Sequence, residues 1–235
     1  MGESRTGMEC DVLILAIDTS GETCSIAISD DSVCRVEYNF RHERRLIERI
    51  PGIVQSVLTD TGLTLSDIEA FAVGLGPGSF TGVRVGVTLA KVWSMTLDKP
   101  VVGVSSLDAL AEPLAFIGLP LACVAPTRKT ESVVAFYSGG MWEPISPPQV
   151  LANDIIAPTA REIIGDFKSE LLIVGEIAHT IMNVSPKGTD LQGTALVRSS
   201  EASAVARLAL HRLSRGESDD TDSLVPLYVT PPPTG

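Results

Sequence analysis

Cysteine is scarce in this sequence, and its copies are not paired. Cys10, Cys24, Cys34 and Cys123 lack the short spacings that a zinc site or a redox motif requires. Three of them fall in predicted strands or at strand edges, where a free thiol acts as a small hydrophobic group. The pattern excludes a cysteine-based zinc or redox motif, and we expect a reduced, cytoplasmic protein.

Histidine is also rare, with 3 copies in 235 residues. His42, His179 and His211 are isolated, because none has a second histidine within five residues. A metal site needs three or four ligands that converge, so we expect no metal bound to this chain. His211 shares a predicted helix face with Arg207, and we expect it to face solvent.

Positive charge and long apolar runs are lacking as well. The 18 lysine and arginine residues are outnumbered by 29 aspartate and glutamate residues, giving a net charge of −11. This balance excludes binding of nucleic acid by broad electrostatics alone, since phosphate contact needs clustered basic side chains. No run of 18 uncharged apolar residues exists, so we expect no membrane-spanning helix. Residues 1–9 are polar, and we expect a disordered leader rather than a signal peptide.

Alternating apolar strands and amphipathic helices predict an α/β protein with two domains. We place the domains at 10–110 and 111–225, followed by a frayed tail at 226–235, and we expect the last helix, 200–214, to pack back on the first domain. Strands are predicted at 12–17, 24–29, 33–40, 70–73, 101–104, 121–125, 132–137 and 171–174, and helices at 46–61, 81–97, 106–116, 159–167 and 200–213. Pro51 should kink the first helix or delay its start.

A glycine-rich loop stands between a predicted strand and the helix at 81–97. It reads Gly74-Leu75-Gly76-Pro77-Gly78-Ser79-Phe80-Thr81-Gly82-Val83-Arg84-Val85-Gly86. A strand, a glycine turn and a helix can present backbone N–H groups to a phosphate. A P-loop would end in a lysine, which is missing here, and Ser79 stands where a dinucleotide-binding motif has its third glycine. Pro77 also lacks an N–H group, so we predict a structural loop in which Ser79 caps the helix.

The helix at 81–97 carries apolar residues around most of its circumference, whereas the helix that begins at Leu46 has a single apolar stripe. A helix that is apolar nearly all round is buried on more than one side. Trp93 and Met95 are residue types enriched at protein contacts. Two interpretations stay open: a central core helix, or a helix with one face on its sheet and another on a partner chain.

Serine catalysis is a further alternative, because Ser79, Ser105 and Ser106 are available. None of the three lies in the Gly-x-Ser-x-Gly elbow of serine hydrolases. We expect Ser105 to cap a helix, with Asp108 three residues further on. A Ser-His-Asp catalytic group is therefore not expected.

Three stretches together resemble the TsaB (YeaZ) family of the actin-like ATPase superfamily. They are a strand that ends in Asp18-Thr19-Ser20, the string Gly76–Gly86, and Val101–Ala109. Pro226-Leu227-Tyr228 is similar to the C-terminal signature of the family. The resemblance implies two actin-like (ribonuclease H-like) domains, each a mixed sheet flanked by helices.

Two stretches differ from the sequence that is usual in this family. The first helix usually begins His-Ser-Glu-Arg, and neither His42–Arg45 nor Leu46–Arg49 fits this fully. The hairpin of the second domain usually reads Asp-Ala-Arg-Arg-Gly-Glu, but Pro126–Glu131 stands here instead. The first departure leaves contacts at the helix end open, and the second leaves the role of that hairpin open.

The resemblance also implies a function in making threonylcarbamoyladenosine (t6A) on tRNA, at the adenosine next to the anticodon. It implies a non-catalytic subunit that forms a heterodimer with the transferase TsaD, is joined by the ATPase TsaE, and pairs with itself when alone. It implies contact with tRNA only through the complex, no membrane, and no cofactor of its own, since ATP and metal belong to TsaD and TsaE. A free-standing ATP-binding enzyme and a peptidase remain as alternatives.

Three groups of candidate site residues follow from these observations. Asp18, Thr19 and Ser20 form a degenerate nucleotide-site turn, where an actin-like ATPase would hold magnesium through water; the alternative is an Asx-turn that closes a hairpin. The structural loop comprises Gly76, Pro77, Gly78, Ser79, Thr81 and Gly82. The helices that the family uses for subunit pairing give the candidate interface residues Leu46, Ile50, Val54, Arg84, Thr88, Lys91, Trp93 and Met95.

Overall fold

The structure is a computed structural model, and it describes residues 12–30, 33–41, 45–165, 170–184 and 193–229. The predicted leader at 1–9, Cys10 and His42 lie outside the described residues. The strands are β1 (Leu13–Asp18), β2 (Thr23–Asp30), β3 (Val33–Arg41), β4 (Ala70–Gly74), β5 (Val101–Val104), β6 (Leu121–Arg128), β7 (Glu131–Tyr137), β8 (Gln149–Ala152), β9 (Leu171–Val174) and β10 (Gly193–Leu196). The α-helices are α1 (Leu46–Thr61), α2 (Phe80–Leu97), α3 (Ser106–Ala111), α4 (Ile156–Ile164), α5 (Ala178–Val184) and α6 (Ala202–Leu213).

Two mixed five-stranded sheets form the core of the molecule, which confirms the predicted fold class. The first has the order β3-β2-β1-β4-β5 and the second the order β10-β9-β6-β7-β8. In the first sheet, β1 pairs antiparallel with β2 and parallel with β4. In the second, β6 pairs antiparallel with β7 and parallel with β9. The central strands are continuous apolar runs because helices cover both faces of each sheet.

Helices pack on both faces of the first sheet. Leu15 and Ile17 of β1 join the core that α1 and α2 cover, whereas Ile14 and Ala16 join the core that α6 covers. This division follows from the period of two in a strand. Ala16 meets further alanines of β2, β4 and α6 in the second of these cores, so α6 lies close to the sheet. The last helix is therefore part of the first sheet's packing, although the second sheet precedes it in the chain.

The start of α1 corrects one expectation. Of the two expected effects, a kink or a delayed start, the delayed start is wrong, because α1 begins at Leu46 and includes Pro51. Pro51 itself is exposed, while Leu46, Ile50 and Val54 are buried on the other side of the helix. Burial of that stripe outweighs the single backbone hydrogen bond that a proline cannot donate.

The helix predicted at 106–116 changes its geometry halfway. It is an α-helix over Ser106–Ala111 and a 3₁₀-helix over Glu112–Ile117. Pro113 explains the change, since it has no N–H group and its ring would crowd the preceding turn of an α-helix. α3 packs against β6 and β7 and also against α6, so it lies between the two halves of the molecule.

The second half holds three elements that the sequence did not predict. These are the edge strands β8 and β10, which are four residues each, and the seven-residue helix α5. The helix predicted at 159–167 begins three residues earlier and spans Ile156–Ile164. Two strand cysteines agree with expectation: Cys24 and Cys123 are buried and free, and burial raises the pKa of the Cys24 thiol to about 12. Cys34, in β3, is free but exposed, so it does not act as a buried hydrophobic group. Within the described ranges, no helix is long and apolar enough to cross a membrane.

Candidate functional site

The turn after β1 is closed by Asp18, whose side chain is buried. Its Oδ1 accepts a hydrogen bond of 2.7 Å from the backbone N–H of Ser20, which is the Asx-turn considered from the sequence. Its Oδ2 accepts a hydrogen bond of 2.7 Å from the hydroxyl of Ser106. Both carboxylate oxygens are thus engaged inside the protein, and the carboxylate is directed away from any ligand in solvent.

The glycine loop is packed tightly against this turn. Gly74, Gly78, Gly82 and Gly86 recur at every fourth position, and each faces an atom of Asp18, Thr19 or Ser20. A Cβ added at Gly78 would lie 2.2 Å from the carbonyl oxygen of Ser20, and one added at Gly82 would lie 2.1 Å from that of Thr19. Both distances are far below van der Waals contact. These glycines are required because two backbones approach each other closely.

Most N–H groups of the loop are already used within the chain. Gly76 donates to Ser106 Oγ (3.1 Å), Ser79 donates to the carbonyl of Ser20 (2.7 Å), and Gly82 donates to Ser79 Oγ (3.2 Å). The last of these contacts confirms Ser79 as the N-cap of α2. Gly76 has a φ of +81°, which glycine adopts without strain, and the bond to Pro77 is cis. The loop is a fixed support for α2 rather than a ring of donors for a phosphate; Thr81, in the first turn of α2, is exposed.

A cleft of about 940 Å³ separates the two sheets beside this loop. The first domain contributes the turn at 20–23 and the loop at 77–80, and the second contributes Pro126, Thr127 and the segments at 176–177 and 197–199. The hairpin at 126–131, whose sequence differs from that usual in the family, therefore borders the cleft with its first two residues. The last described residues, 226–229, also line it.

Glu176 reaches across this cleft. Its Oε1 accepts hydrogen bonds of 2.9 Å from the backbone N–H of Glu22 and of 2.9 Å from the hydroxyl of Ser199. Glu22 also pairs with Arg41 at 3.3 Å, where both side chains are largely exposed. Sequence reasoning missed Glu176. The available signal was its place in a Gly-Glu turn directly after an apolar strand, similar to the acidic turn after β1.

The candidate interface residues divide into three groups by exposure. Leu46, Ile50 and Val54 are buried in the core of the first domain, so the structure corrects their assignment to a partner surface. Arg84, Thr88 and Met95 are exposed, and Lys91 and Trp93 are half-buried. The apolar stripe of α1 packs against the first sheet of the same chain, so it does not face outward.

The outer face of α2 remains apolar at its C-terminal half. Val92 is 50% exposed and Met95 is 64% exposed, one helical turn apart. A groove of about 370 Å³ lies between α1 and α2, with Leu89 and Trp93 in its wall, and Val92 and Met95 do not line it. Trp93 packs on Phe71 of the core, with ring centroids 5.8 Å apart. The structure thus offers an apolar groove with exposed apolar side chains on the same helix.

The C-terminal segment of the chain contacts one side of α2. Arg84 stacks over the ring of Phe80 at 3.9 Å, and its Nε donates to the Tyr228 hydroxyl at 3.1 Å. Lys91 donates to the carbonyls of Asp222 and Leu224, each at 3.3 Å. Arg84 therefore holds the C-terminal signature of the family and Lys91 holds the residues just before it, contacts that the sequence did not indicate.

Asp108 is a half-buried carboxylate on α3, between the two halves of the molecule. Its Oδ1 accepts a hydrogen bond of 2.7 Å from the hydroxyl of Tyr137. Burial raises the pKa of Asp108 to about 6, since desolvation outweighs that hydrogen bond and Glu143 adds a further negative charge. Ser105 Oγ accepts from the N–H of Asp108, which confirms Ser105 as the N-cap of α3.

We expect Asp108→Asn to stabilise the protein at pH 8 by roughly 1–3 kcal/mol. The native carboxyl binds its proton more tightly than the unfolded one, so its stabilising contribution is present in acid and is lost as pH rises through about 6. Asparagine keeps an acceptor for Tyr137 but carries no charge. The difference in the free energy of unfolding between the variant and the unchanged chain should therefore shrink between pH 8 and pH 4.5 in urea titrations. A difference that is independent of pH contradicts the assignment.

The described residues contain no Ser-His-Asp catalytic group built on the serines considered from the sequence. Ser79 and Ser105 are helix caps, and Ser106 is 2% exposed. His211 is exposed, as expected, and contacts the edge of Trp142 at 6.0 Å between centroids. Across the described ranges, no three His, Cys, Asp or Glu side chains are placed to hold a metal ion.

Similarity to known proteins agrees with this architecture. Residues 41–146 match the family model described as TsaD, tRNA N6-adenosine threonylcarbamoyltransferase. The chain is 42% identical over 99 residues to the tRNA threonylcarbamoyladenosine biosynthesis protein TsaB of Escherichia coli, a match that spans 42% of each protein. A crystal structure of an uncharacterized Pseudomonas aeruginosa protein with similarity to peptidase YEAZ superposes with a TM-score of 0.80 and 25% identity, covering 93% of this chain and 99% of that one.

The match to Bacillus subtilis TsaB extends over nearly the whole chain. It reaches 31% identity across 223 residues, which are 92% of this chain and 93% of the B. subtilis protein. The similarity therefore includes the second sheet and α6 as well as the glycine loop. Because so much of both proteins is matched, the chain belongs to the TsaB (YeaZ) family, with its two-domain actin-like fold.

Proposed function

We propose that this chain is a non-catalytic subunit for t6A synthesis on tRNA, and that it acts by binding the transferase TsaD. The observation that carries the proposal is the outer face of α2, where Val92 and Met95 are exposed; Leu89 and Trp93 of the same helix line a separate apolar groove against α1. Neighbouring exposed apolar side chains are typical of protein contact sites. Membership of the TsaB family supplies the pathway.

The remaining partners follow from the same proposal. TsaE joins the heterodimer, and tRNA is met through the complex, since a net charge of −11 does not favour an independent phosphate-binding surface. The reaction takes place in the cytoplasm, where its tRNA substrate is found. When TsaD is absent, the same α2 face pairs two copies of this chain.

The match to the transferase model raises a second candidate, that this chain is itself the transferase. This sequence has 3 histidines, and none has a second histidine within five residues, so it lacks a histidine pair that could hold a catalytic metal. Within the described residues, His179 and His211 lie on different helices. The lack of a histidine pair supports the proposal that this chain is a non-catalytic subunit and that TsaD and TsaE hold the ATP and the metal.

The peptidase alternative rests on the description of one similar crystal structure, which mentions similarity to peptidase YEAZ. The nearest serine and carboxylate, Ser106 and Asp18, are hydrogen-bonded to each other and buried. A nucleophile has to reach its substrate and needs a base beside it. Asp18 stands beside the Ser106 hydroxyl, but the serine is 2% exposed and cannot reach a substrate.

Reconstitution of threonylcarbamoyl transfer tests the proposal. Purified TsaD, TsaE, threonylcarbamoyl adenylate and tRNA are incubated with and without this chain, and t6A is measured in the digested tRNA. We expect product only in the complete mixture, and we expect this chain to co-elute with TsaD in size-exclusion chromatography. Transfer of equal rate without the chain, or product formed by the chain without TsaD, contradicts the proposal.

A further inference from the structure

The actin-like fold implies a nucleotide in the cleft between its domains, and the turn after β1 is where its phosphates would need N–H donors. In this chain the N–H of Glu22 in that turn already donates to Glu176 Oε1 at 2.9 Å. Glu22 and Glu176 line the cleft together with Arg41 and Arg198, and Arg41 already pairs with Glu22 at 3.3 Å, so the charged lining offers a phosphate no net positive charge. Asp18 is buried with both oxygens bonded, so it is not placed to hold a hydrated cation. The residues present do not fit a bound nucleotide.

Gly21 is adapted to the position of Glu176. A Cβ at Gly21 would lie 2.4 Å from Glu176 Oε1 and 3.1 Å from its carboxyl carbon. The backbone of Gly21 does not have a positive φ, so its lack of a side chain serves to make room for the carboxylate rather than to permit a turn. The two sides of the contact are therefore matched, although they are more than 150 residues apart in the chain.

Ser199 fixes the carboxylate from a third segment. Its hydroxyl donates to the same Oε1 at 2.9 Å, and it lies between β10 and α6. Glu176 itself lies between β9 and α5, in the second domain. One carboxylate oxygen thus joins the turn of the first sheet, the second sheet and the segment that leads back to α6.

We propose that Glu176 is an interdomain latch whose carboxylate takes the place of an anionic ligand at the turn after β1. It holds the two domains together across the cleft without a nucleotide and keeps anions out. The latch is a property of the isolated chain, and it does not depend on the proposed binding of TsaD. The cleft in this protein is accordingly a fixed joint rather than a nucleotide-driven hinge.

Two variants on opposite sides of the cleft test the latch. Glu176→Ala removes the carboxylate, and Gly21→Ala displaces it by steric overlap while leaving it in the chain. We expect both to raise the hydrogen-exchange rate of the Glu22 amide by roughly tenfold or more, measured by NMR on the full chain, because each loses the acceptor of that N–H. Glu162→Ala, at an exposed glutamate of the same domain, is the matched control and should leave the rate unchanged.

A titration with inorganic phosphate and with Mg·ATP tests whether the carboxylate substitutes for an anion. We expect the Glu22 amide resonance of Glu176→Ala to shift with millimolar phosphate, and that of the unchanged chain not to shift with either probe. Equal exchange rates in all variants overturn the latch. A Glu22 shift in the unchanged chain, or none in Glu176→Ala, overturns the substitution for an anion.

Discussion

Replacing Met95 with glutamate is expected to weaken binding to TsaD by about a hundredfold, which corresponds to about 3 kcal/mol. Met95 is 64% exposed on the outer face of α2, so the substitution places a charge at the proposed contact without touching the core. A charge without a partner in an apolar contact has to be desolvated, and this cost is not repaid. Val92→Glu, one turn earlier on the same face, should act in the same direction.

The matched control is Phe116→Glu in the second domain. Phe116 is 88% exposed and apolar, so the substitution makes the same chemical change outside the α2 face. We expect Phe116→Glu to leave binding to TsaD within twofold, and we expect all three variants to keep the melting temperature of the unchanged chain. Binding is measured by calorimetry, and t6A formation is measured in the reconstituted mixture. If Met95→Glu and Phe116→Glu bind TsaD equally well, α2 is not the contact.

The first sheet and its helices were largely predictable because they carry strong local signals. The runs that became β1, β4 and β5 are continuous and apolar, and the glycine loop marks the start of α2 within one residue. The second domain was predicted less well. β8 and β10 are short, half-buried edge strands that leave little periodicity to detect, and α5 is only seven residues long.

The candidate site shows where sequence patterns lose information. The stripe Leu46, Ile50 and Val54 correctly indicates an amphipathic helix, but a pattern does not say whether the chain's own sheet or another chain covers it. Glu176 and Glu22 are joined by one hydrogen bond across 154 positions, and no local pattern encodes such a contact. The glycines at every fourth position were visible in the sequence. Their common purpose was not, because it depends on how closely the loop approaches Asp18–Ser20.

Gly82→Ala is expected to lower the free energy of unfolding by roughly 1–3 kcal/mol, the usual cost of forcing an extra methyl group into a packed site. Its Cβ would lie 2.1 Å from the carbonyl oxygen of Thr19, which belongs to the backbone at the end of β1 and cannot rotate away. The Gly82 carbonyl also accepts a 2.7 Å hydrogen bond from the Thr19 hydroxyl, so any shift of α2 strains a second contact.

Gly52→Ala makes the same chemical change and is expected to have the opposite effect. Gly52 lies within α1 and is exposed, and a methyl group added there would meet no atom within 4 Å. Alanine is favoured over glycine in a helix by about 1 kcal/mol, so this variant should be more stable. For a protein of this size, each kcal/mol corresponds to roughly 2–4 °C in melting temperature, which calorimetry resolves. If Gly82→Ala is as stable as Gly52→Ala, close approach to β1 is not the reason for the glycine. If it is less stable and also binds TsaD more weakly, the loop acts on function by positioning α2.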